Sequence, residues 1–152
     1  MVHQDLSSLL EQGLKGLRSG HHEDAKASYK EAIRLKPDDV AAHLGYGVAC
    51  GRLGQHEEAI ASYKEAIRLK PDDGEAHYNL GSAYGNLGRY EEAVVAFKVA
   101  ILLKPDLVGA HYNLGLAYLR IGNREGAVKE YNILKDLHGD TANELLVLIN
   151  EG

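Results

Sequence analysis

A strict internal period of 34 residues constrains this chain more than any other feature of its sequence. The segment ASYKEAIRLKPDD occurs at Ala27–Asp39 and again, unchanged, at Ala61–Asp73. Five further sets of residues keep the same spacing without an insertion: Pro37, Pro71 and Pro105; Leu35, Leu69, Leu103 and Leu137; Gly20, Gly54, Gly88 and Gly122; Gly13, Gly47, Gly81 and Gly115; Ala25, Ala59, Ala93 and Ala127. The chain therefore consists of four similar units and a C-terminal extension.

Apolar residues within a unit recur at helical spacing. The third unit carries two such stripes, His77, Leu80, Gly81 and Tyr84, then Ala93, Val94, Phe97, Ala100 and Ile101. Gly88 between them suits the left-handed residue that ends a helix, and Pro105 prevents the second helix from continuing. The pattern predicts first helices at 6–18, 40–52, 74–86 and 108–120, and second helices at 22–35, 56–69, 90–103 and 124–137.

The predicted helices are too short to be stable as isolated pairs, because each buries too little apolar surface to offset its ordering entropy. The units must therefore stack, each against its neighbours. We predict an all-α fold, a right-handed α-solenoid of four helix-turn-helix repeats at about 6–39, 40–73, 74–107 and 108–139. We expect residues 1–152 to form a single domain, with Gly47, Gly81 and Gly115 opposing Ala59, Ala93 and Ala127 where helices cross.

The third unit contains the run HYNLGSAY at His77–Tyr84, Ala93 with Phe97 four residues later, and then Ala100 and Pro105. In these residues it resembles the tetratricopeptide repeat. The resemblance extends over roughly residues 6–139. The sequence departs from the family pattern where His43, His77 and His111 replace a tryptophan, where Cys50 replaces an aromatic residue, and at Gln12 and Gly16 in the first unit.

The C-terminal extension predicts one more helix, at about 140–150. The sequence from Asp140 to Glu144 contains a T-x-x-E capping box and leads into LLVLI. Its leucines and Ile149 are expected to cover the apolar end of the fourth unit, as the terminal helix of a stacked array must. The alternative is that the same apolar strip forms a contact between two copies of the chain.

Composition excludes several classes of function. The net charge is −5 and the pI about 5.9, which disfavours binding to nucleic acid or to an anionic membrane. No apolar run approaches the length of a membrane span, and no secretion signal opens the sequence, so we expect a cytoplasmic protein. Cys50 is the only cysteine, so an intrachain disulfide is impossible.

Residues with potential chemistry have simpler structural explanations. His43, His77 and His111 occupy equivalent positions in successive units, too far apart to share a metal ion, while His21, His22 and His56 would offer at most a weak surface site. Cys50 lies on a buried stripe and is expected to be a small core residue. The acidic pairs Asp38–Asp39, Asp72–Asp73 and Glu57–Glu58 recur at helix starts, where carboxylates stabilise free amides. We predict no catalytic residues, no metal and no cofactor.

The first helices remain as a candidate binding surface. Resemblance to tetratricopeptide proteins implies that they line a concave groove for a peptide or helix of a partner protein. Helical geometry turns Leu10, Leu14, Leu17 and Leu119 toward it. The predicted peptide-binding residues are Leu44, Val48, Arg52, Tyr78, Asn79, Ser82, Tyr112, Asn113, Leu116 and Arg120. The alternative is that these residues only pack against adjacent helices.

The sequence therefore favours a non-enzymatic protein–protein interaction module. Two other functions stay open at this stage. The chain could be a self-assembling scaffold that associates through its C-terminal helix. It could also serve as the targeting arm of an enzyme, although it carries no recognisable catalytic domain.

Overall fold

A computed structural model describes residues 4–152 of the chain, and these form nine helices and no strand. The all-α fold class is confirmed, and every predicted helix is present with ends that agree to within one or two residues. The helices are α1 (Leu6–Ser19), α2 (His22–Leu35), α3 (Val40–Arg52), α4 (His56–Leu69), α5 (Gly74–Asn86), α6 (Tyr90–Leu103), α7 (Val108–Arg120), α8 (Arg124–Leu137) and α9 (Gly139–Glu151). None of the helices in this part of the chain is long and apolar enough to cross a bilayer.

The helix ends follow the predicted local chemistry, with one exception. Gly88 has a φ of 73°, the left-handed conformation that glycine adopts without strain. Asp39 and Asp73 accept hydrogen bonds from amides in the first turns of α3 and α5, as predicted for the acidic pairs. The predicted cap of the last helix is wrong. His138, rather than Thr141, is the capping residue, because α9 begins at Gly139 and its first turn includes Thr141.

The described chain divides into two compact units, which we call unit 1 (up to Asp72) and unit 2 (from Asp73 onward). The organisation of residues 1–152 as one domain stays a prediction. In unit 1, helices α1 to α4 pack as two successive hairpins. Tyr29 of α2 is their central aromatic residue, 5% exposed, with its ring against Gly13 on α1 and Gly45 on α3.

Helices α5 to α9 build unit 2 on the same plan. A Cβ atom built on Gly81 of α5 would lie 2.7 Å from the ring of Phe97 on α6. The nearest neighbours of Gly47 and Gly81 are therefore the rings of Tyr63 and Phe97, and that of Gly115 is Leu145, rather than the alanines that we predicted. The ring needs the space that a side chain at Gly81 would fill, so Gly81→Leu is still expected to overpack this crossing.

The C-terminal helix covers the last hairpin. Ala142, Leu145 and Ile149 of α9 are buried in one cluster with Ala127 and Leu134 of α8. Leu145 also fills the position opposite Gly115 on α7, where the other hairpins place an aromatic ring. The prediction that this helix covers the apolar end of the fourth unit is confirmed for Leu145 and Ile149.

Candidate functional site

The predicted binding residues of unit 1 lie on α3. Leu44 and Val48 are half-buried and Arg52 is exposed. On α1, Leu10 and Leu17 are half-buried, packed against the core, while Leu14 is 44% exposed beside Arg18. Leu14 lies in an open groove of about 380 Å³ on α1, whose other lining residues are polar or charged: Glu11, Lys15, Arg18 and Ser19.

Unit 2 contains a cleft of about 270 Å³ between α5, α6 and α7. Four of the predicted residues line it together. They are Ser82 from α5 and Asn113, Leu116 and Arg120 from α7. Gly85, Asn86, Tyr90, Phe97 and Ala117 complete the lining. The structure thus brings part of the predicted set to one place and adds residues of α6 that were not predicted.

Asn113 is held in a defined orientation at the wall of this cleft. Its side-chain Nδ2 donates to the hydroxyl of Tyr78, at 3.2 Å. The ring of Tyr78 in turn lies 5.9 Å from that of Phe97, centroid to centroid. An amide fixed in this way presents its remaining hydrogen-bonding groups to a ligand at little entropic cost.

Arg120 is the charged residue among the described residues that line the cleft. Its guanidinium lies 5.7 Å from the centre of the Tyr90 ring, so the first residue of α6 supports the last residue of α7. The side chain is exposed, and a cation placed over an aromatic face keeps its donors free for an anionic partner. The cleft therefore combines an apolar floor, one fixed amide and one positive end.

Three predicted residues take other positions. Tyr112 is half-buried and packs against the cluster formed by α8 and α9, as does Leu119. Asn79 is half-buried on α5 and is absent from the lining of the cleft. For Tyr112 and Leu119, the alternative of packing against the C-terminal helix is the one that the structure supports.

Sequence reasoning missed Asn86 and Tyr90 as site residues. Both carried a signal. Asn86 interrupts the series Arg18, Arg52 and Arg120, and Tyr90 replaces the histidine that opens α2 and α4. A departure from an otherwise strict repeat marks a position where unit 2 is specialised.

Two other chemically capable side chains, Cys50 and His111, have structural roles in the core. Cys50 is fully buried, and burial raises the pKa of its thiol to about 11, which keeps it unreactive. His111 is 2% exposed and its Nδ1 lies 2.6 Å from Oε2 of Glu130. Across residues 4–152, no three His, Cys, Asp or Glu side chains gather in a way that could hold a metal ion.

Known proteins of the same fold agree with this description. The chain is similar to the crystal structure of MamA, with 27% identity, a TM-score of 0.81, and coverage of 97% of this chain and 82% of that one. It is similar to MamA residues 41-end from Desulfovibrio magneticus RS-1, with 22% identity, a TM-score of 0.83 and coverage of 88% and 75%. A tetratricopeptide repeat protein from Parabacteroides merdae matches with 23% identity, a TM-score of 0.84 and coverage of 95% and 58%.

Comparison with sequence profiles gives the same result. A profile described as TPR repeat matches residues 47–88 and 86–122. Two profiles described as tetratricopeptide repeat match residues 17–61 and 110–141. No curated protein matches the sequence. Since the profiles span the hairpins of both units, the chain belongs to the tetratricopeptide repeat family.

Proposed function

We propose that this protein is a non-enzymatic interaction module that holds an extended peptide of a partner protein in the cleft of unit 2. The observation that carries the proposal is the combination of Phe97 and Leu116 with Asn113 and Arg120 in one cleft. Membership of a repeat family that binds proteins supports the general function. The particular cleft and its ligand are the new part of the proposal.

The lining indicates what such a peptide offers. Asn113, already oriented by Tyr78, is placed to bond the peptide's main chain, which gives affinity without sequence preference. Leu116 and Ala117 take a small apolar side chain. Arg120 selects a carboxylate at the open end, because a guanidinium binds a planar carboxylate with two parallel hydrogen bonds. We therefore expect an apolar residue followed or preceded by Asp or Glu.

The size of the cleft sets the expected affinity. A volume of about 270 Å³ accommodates two or three side chains, far less than a standard protein interface. Binding of an isolated peptide is therefore expected to be weak, with a dissociation constant on the order of micromolar. A tighter complex would need contacts beyond this cleft.

Selection from a random peptide library displayed on phage tests the proposal. The whole chain is immobilised, and the peptides recovered are titrated by fluorescence anisotropy against the wild type and against Asn113→Ala and Arg120→Ala. Each variant is expected to weaken binding about tenfold, equivalent to about 1.4 kcal/mol. The peptides recovered are expected to carry Asp or Glu beside an apolar residue.

Arg52→Ala is the matched control, because Arg52 occupies in unit 1 the position that Arg120 occupies in unit 2. It should leave the affinity unchanged. Peptides that bind equally well to Arg120→Ala and to the wild type, or that lose affinity only with Arg52→Ala, would contradict the assignment of the site to unit 2.

Self-association through α9 is the second candidate function. Leu145 and Ile149 are buried in the cap, so they are unsuited to a contact between copies. Val147 and Leu148 remain, with 55% and 37% of their surface exposed. Changing both to lysine should abolish any concentration-dependent increase in mass that this helix causes, with helicity unchanged. A monomer at every concentration would dismiss this candidate.

A further inference from the structure

Unit 2 contains a second cavity, of about 180 Å³, between α7 and the start of α8. Its lining residues are Tyr118, Asn123, Glu125, Gly126, Lys129 and Glu130. None of these described residues lines the proposed peptide cleft, so the two sites are distinct. We refer to this second site as the α8 cavity.

The preceding hairpin shows which group occupies the same place one repeat earlier. In the hairpin of α5 and α6, the guanidinium of Arg89 lies 4.8 Å from the centre of the Tyr84 ring. The same guanidinium donates to Oε1 of Glu92 at 2.7 Å. An arginine held between an aromatic ring and a carboxylate is stabilised by both, because each attracts the cation. The repeat therefore forms a guanidinium site at this position.

The hairpin of α7 and α8 keeps the ring of this site and lacks its arginine. The tyrosine recurs 34 residues later, as Tyr118. The arginine is replaced by Asn123 and the glutamate by Gly126, whose backbone amide donates to Oδ1 of Asn123 at 2.9 Å. Tyr118 is half-buried, whereas Tyr84 is 6% exposed. The α8 cavity therefore corresponds to the place of a guanidinium that this hairpin does not supply.

Glu130 supplies a carboxylate to the cavity from a different position. It follows Gly126 by one helical turn, and α6 has Ala96 in its place. Glu130 is 8% exposed, and its Oε2 lies 2.6 Å from Nδ1 of His111. Within residues 4–152 this is the only hydrogen bond of the Glu130 side chain, so its Oε1 is available to a ligand. A carboxylate shielded from water attracts a cation more strongly than an exposed one does.

The other charges around the cavity leave one carboxylate in excess. Glu125 and Lys129 form an ion pair at 3.1 Å, and their side chains are 82% and 71% exposed, so they neutralise each other at the rim. Arg124 is exposed and is absent from the lining. The lining thus carries two carboxylates and one ammonium group, and a single added cation balances the charge.

We propose that the α8 cavity binds the side chain of an arginine from a partner protein, with its guanidinium between the ring of Tyr118 and the carboxylate of Glu130. Arginine is favoured over lysine, because a planar guanidinium stacks on the ring and also donates to the carboxylate. The volume is below the roughly 300 Å³ of the smallest usual ligand pockets, so we expect the cavity to take one side chain. The proposal goes beyond the peptide cleft, where Arg120 selects a carboxylate.

NMR titration of the isotope-labelled full chain tests the proposal. The probe is arginine capped by an acetyl group and a methylamide, which resembles a residue within a chain. It should shift the amide signals of Gly126 and Glu130 with a dissociation constant on the order of millimolar, because one side chain makes few contacts. Citrulline capped in the same way has nearly the same shape without the charge, and it should bind about tenfold more weakly. Capped lysine should bind about threefold more weakly.

Free arginine distinguishes the two possible sources of a guanidinium, a protein side chain and the amino acid itself. All the proposed contacts are made to the side chain, so free arginine should bind no more tightly than capped arginine. Binding of free arginine that is about tenfold tighter would assign the cavity to the free amino acid and would overturn the proposed partner.

Variants of the lining test the two proposed contacts. Tyr118→Leu and Glu130→Gln should each raise the dissociation constant of capped arginine about tenfold. Tyr118→Phe keeps an aromatic face and should bind like the wild type. The amide spectrum reports whether each variant is folded. If Glu130→Gln, which alters the pair with His111, does not fold, the comparison of the two Tyr118 variants decides.

Asn123→Arg provides the chain with its own guanidinium at this position. The change copies Arg89, which precedes a helix that forms without a side-chain cap, so the variant should fold. Its arginine should occupy the cavity, and capped arginine should bind about tenfold more weakly. Val128→Arg is the matched control, since it adds the same charge to an exposed position of α8 outside the lining. It should change the dissociation constant by less than about twofold.

Four results would overturn the assignment of the α8 cavity to a guanidinium. They are equal binding of capped citrulline and capped arginine, equal losses for Tyr118→Phe and Tyr118→Leu, undiminished binding to Asn123→Arg, and no shift of the cavity amides at millimolar concentrations of the probe. These titrations use no peptide selected for the cleft of unit 2. Failure of this proposal and failure of the peptide cleft are therefore observed separately.

Discussion

The two compact units use the same packing position for different purposes. In unit 1 the ring of Tyr29 is enclosed between Gly13 and Gly45, two residues without a side chain. In unit 2, 68 residues further along the chain, Phe97 meets Gly81 on one side, but the second glycine is replaced by Asn113.

A cleft lined by both Phe97 and Asn113 lies at this place in unit 2. In unit 1 the corresponding helices close directly over the ring, because glycine lets two backbones approach. A single repeat position, Gly45 in unit 1 and Asn113 in unit 2, thus separates a closely packed helix crossing from a potential binding site.

The contact between successive hairpins differs as strongly. In unit 1, Nζ of Lys26 donates to Glu58 at 2.9 Å and to Gln55 at 2.6 Å, and the hydroxyl of Tyr46 also donates to Glu58. This polar network joins α2, α3 and α4.

In unit 2 the positions of Lys26, Tyr46 and Glu58 are taken by Val94, Leu114 and Gly126. Leu114 is 2% exposed, and a Cβ atom on Gly126 would lie 2.8 Å from the ring of Tyr118. The same backbone arrangement is therefore supported by charged hydrogen bonds in one unit and by apolar packing in the other. The two solutions should respond differently to substitution, salt and pH.

The largest effect is expected for Leu114→Ala in unit 2. The side chain is almost fully buried, and its removal leaves a cavity as well as exposing apolar surface, so we expect a loss of about 4 kcal/mol in the free energy of unfolding. Urea denaturation monitored by circular dichroism measures it. Leu35→Ala, at a position that is 44% exposed, is the control and should cost about 1 kcal/mol or less. Equal losses would contradict the apolar character of the unit 2 contact.

The second largest loss of stability is expected when the residues that flank the aromatic ring are exchanged between the units. Gly45→Asn puts the unit 2 residue into unit 1, where its side chain collides with Tyr29, so we expect a loss of about 3 kcal/mol. The reverse change, Asn113→Gly, has space around it and should cost about 1 kcal/mol, a few tenths from helix propensity and the rest from the lost hydrogen bond to Tyr78. Thermal melts of both variants measure the two losses of stability. Similar losses would mean that the two crossings are equally open.

The third largest loss of stability is expected when the buried pair of His111 and Glu130 in unit 2 is broken. Nε2 of His111 donates to the carbonyl oxygen of Pro105 at 2.7 Å, and its Nδ1 lies 2.6 Å from Glu130, which is 8% exposed. Glu130→Ala leaves a buried ring nitrogen without a partner and should cost about 2 kcal/mol.

Unit 1 supplies the comparison for that variant. Ser62 occupies the position of Glu130 and donates to the carbonyl oxygen of His43 at 2.8 Å. Ser62→Ala should cost about 1 kcal/mol, since it removes a single neutral hydrogen bond. The difference between the two variants is read from chemical denaturation. A larger loss for Ser62→Ala than for Glu130→Ala would contradict the greater contribution expected of the His111–Glu130 pair.

The smallest effect is expected in the polar network of unit 1, and it depends on pH. Hydrogen bonds from Tyr46 and then Lys26 hold the pKa of the Glu58 carboxyl below its ordinary value. Its contribution to stability is therefore present above the pKa of an unfolded glutamate, about 4.3, and is lost as the pH falls through the lower folded value. Because Glu58 is largely exposed, Glu58→Gln should cost only about 1 kcal/mol at neutral pH.

That cost should shrink toward zero in acid and decrease with added salt. Stability measured by urea unfolding over a pH series shows the trend. Glu57→Gln, at an exposed neighbouring position, serves as the control and should be close to neutral at every pH. A loss for Glu58→Gln that stays constant from neutral to acidic pH would contradict the role of the carboxylate.

Much of the fold followed from the sequence because the repeat states each local rule several times. The helix boundaries, the left-handed Gly88 and the caps at Asp39 and Asp73 all depend on neighbours within a few residues, which a linear sequence displays. The capping residue of α9 was predicted wrongly because the local sequence offers two candidates. Two polar residues, His138 and Thr141, compete for one helix start, and the choice depends on where α8 ends.

The site was only partly predictable. Ser82, Asn113, Leu116 and Arg120 were predicted to face one side, and they line the same cleft, because the face of a helix can be calculated from its period. Tyr90 was missed because it belongs to the second helix of its hairpin and reaches the cleft through the packing of α6 against α7. The packing of Tyr112 against the cluster of α8 and α9 was not foreseen, because helical periodicity within α7 does not describe a neighbour on α9.

The sequence by itself determined the helical hairpins of this protein and their order, because spacing, caps and turns are properties of short segments. Only the tertiary structure decided which equivalent positions are filled and which are open. Phe97 borders a cleft and Tyr29 does not, although both occupy the same position in the repeat, because a side chain's surroundings come from helices distant in the sequence. The 34-residue period determines where the helices begin and end, and packing between helices determines what surrounds each repeated position.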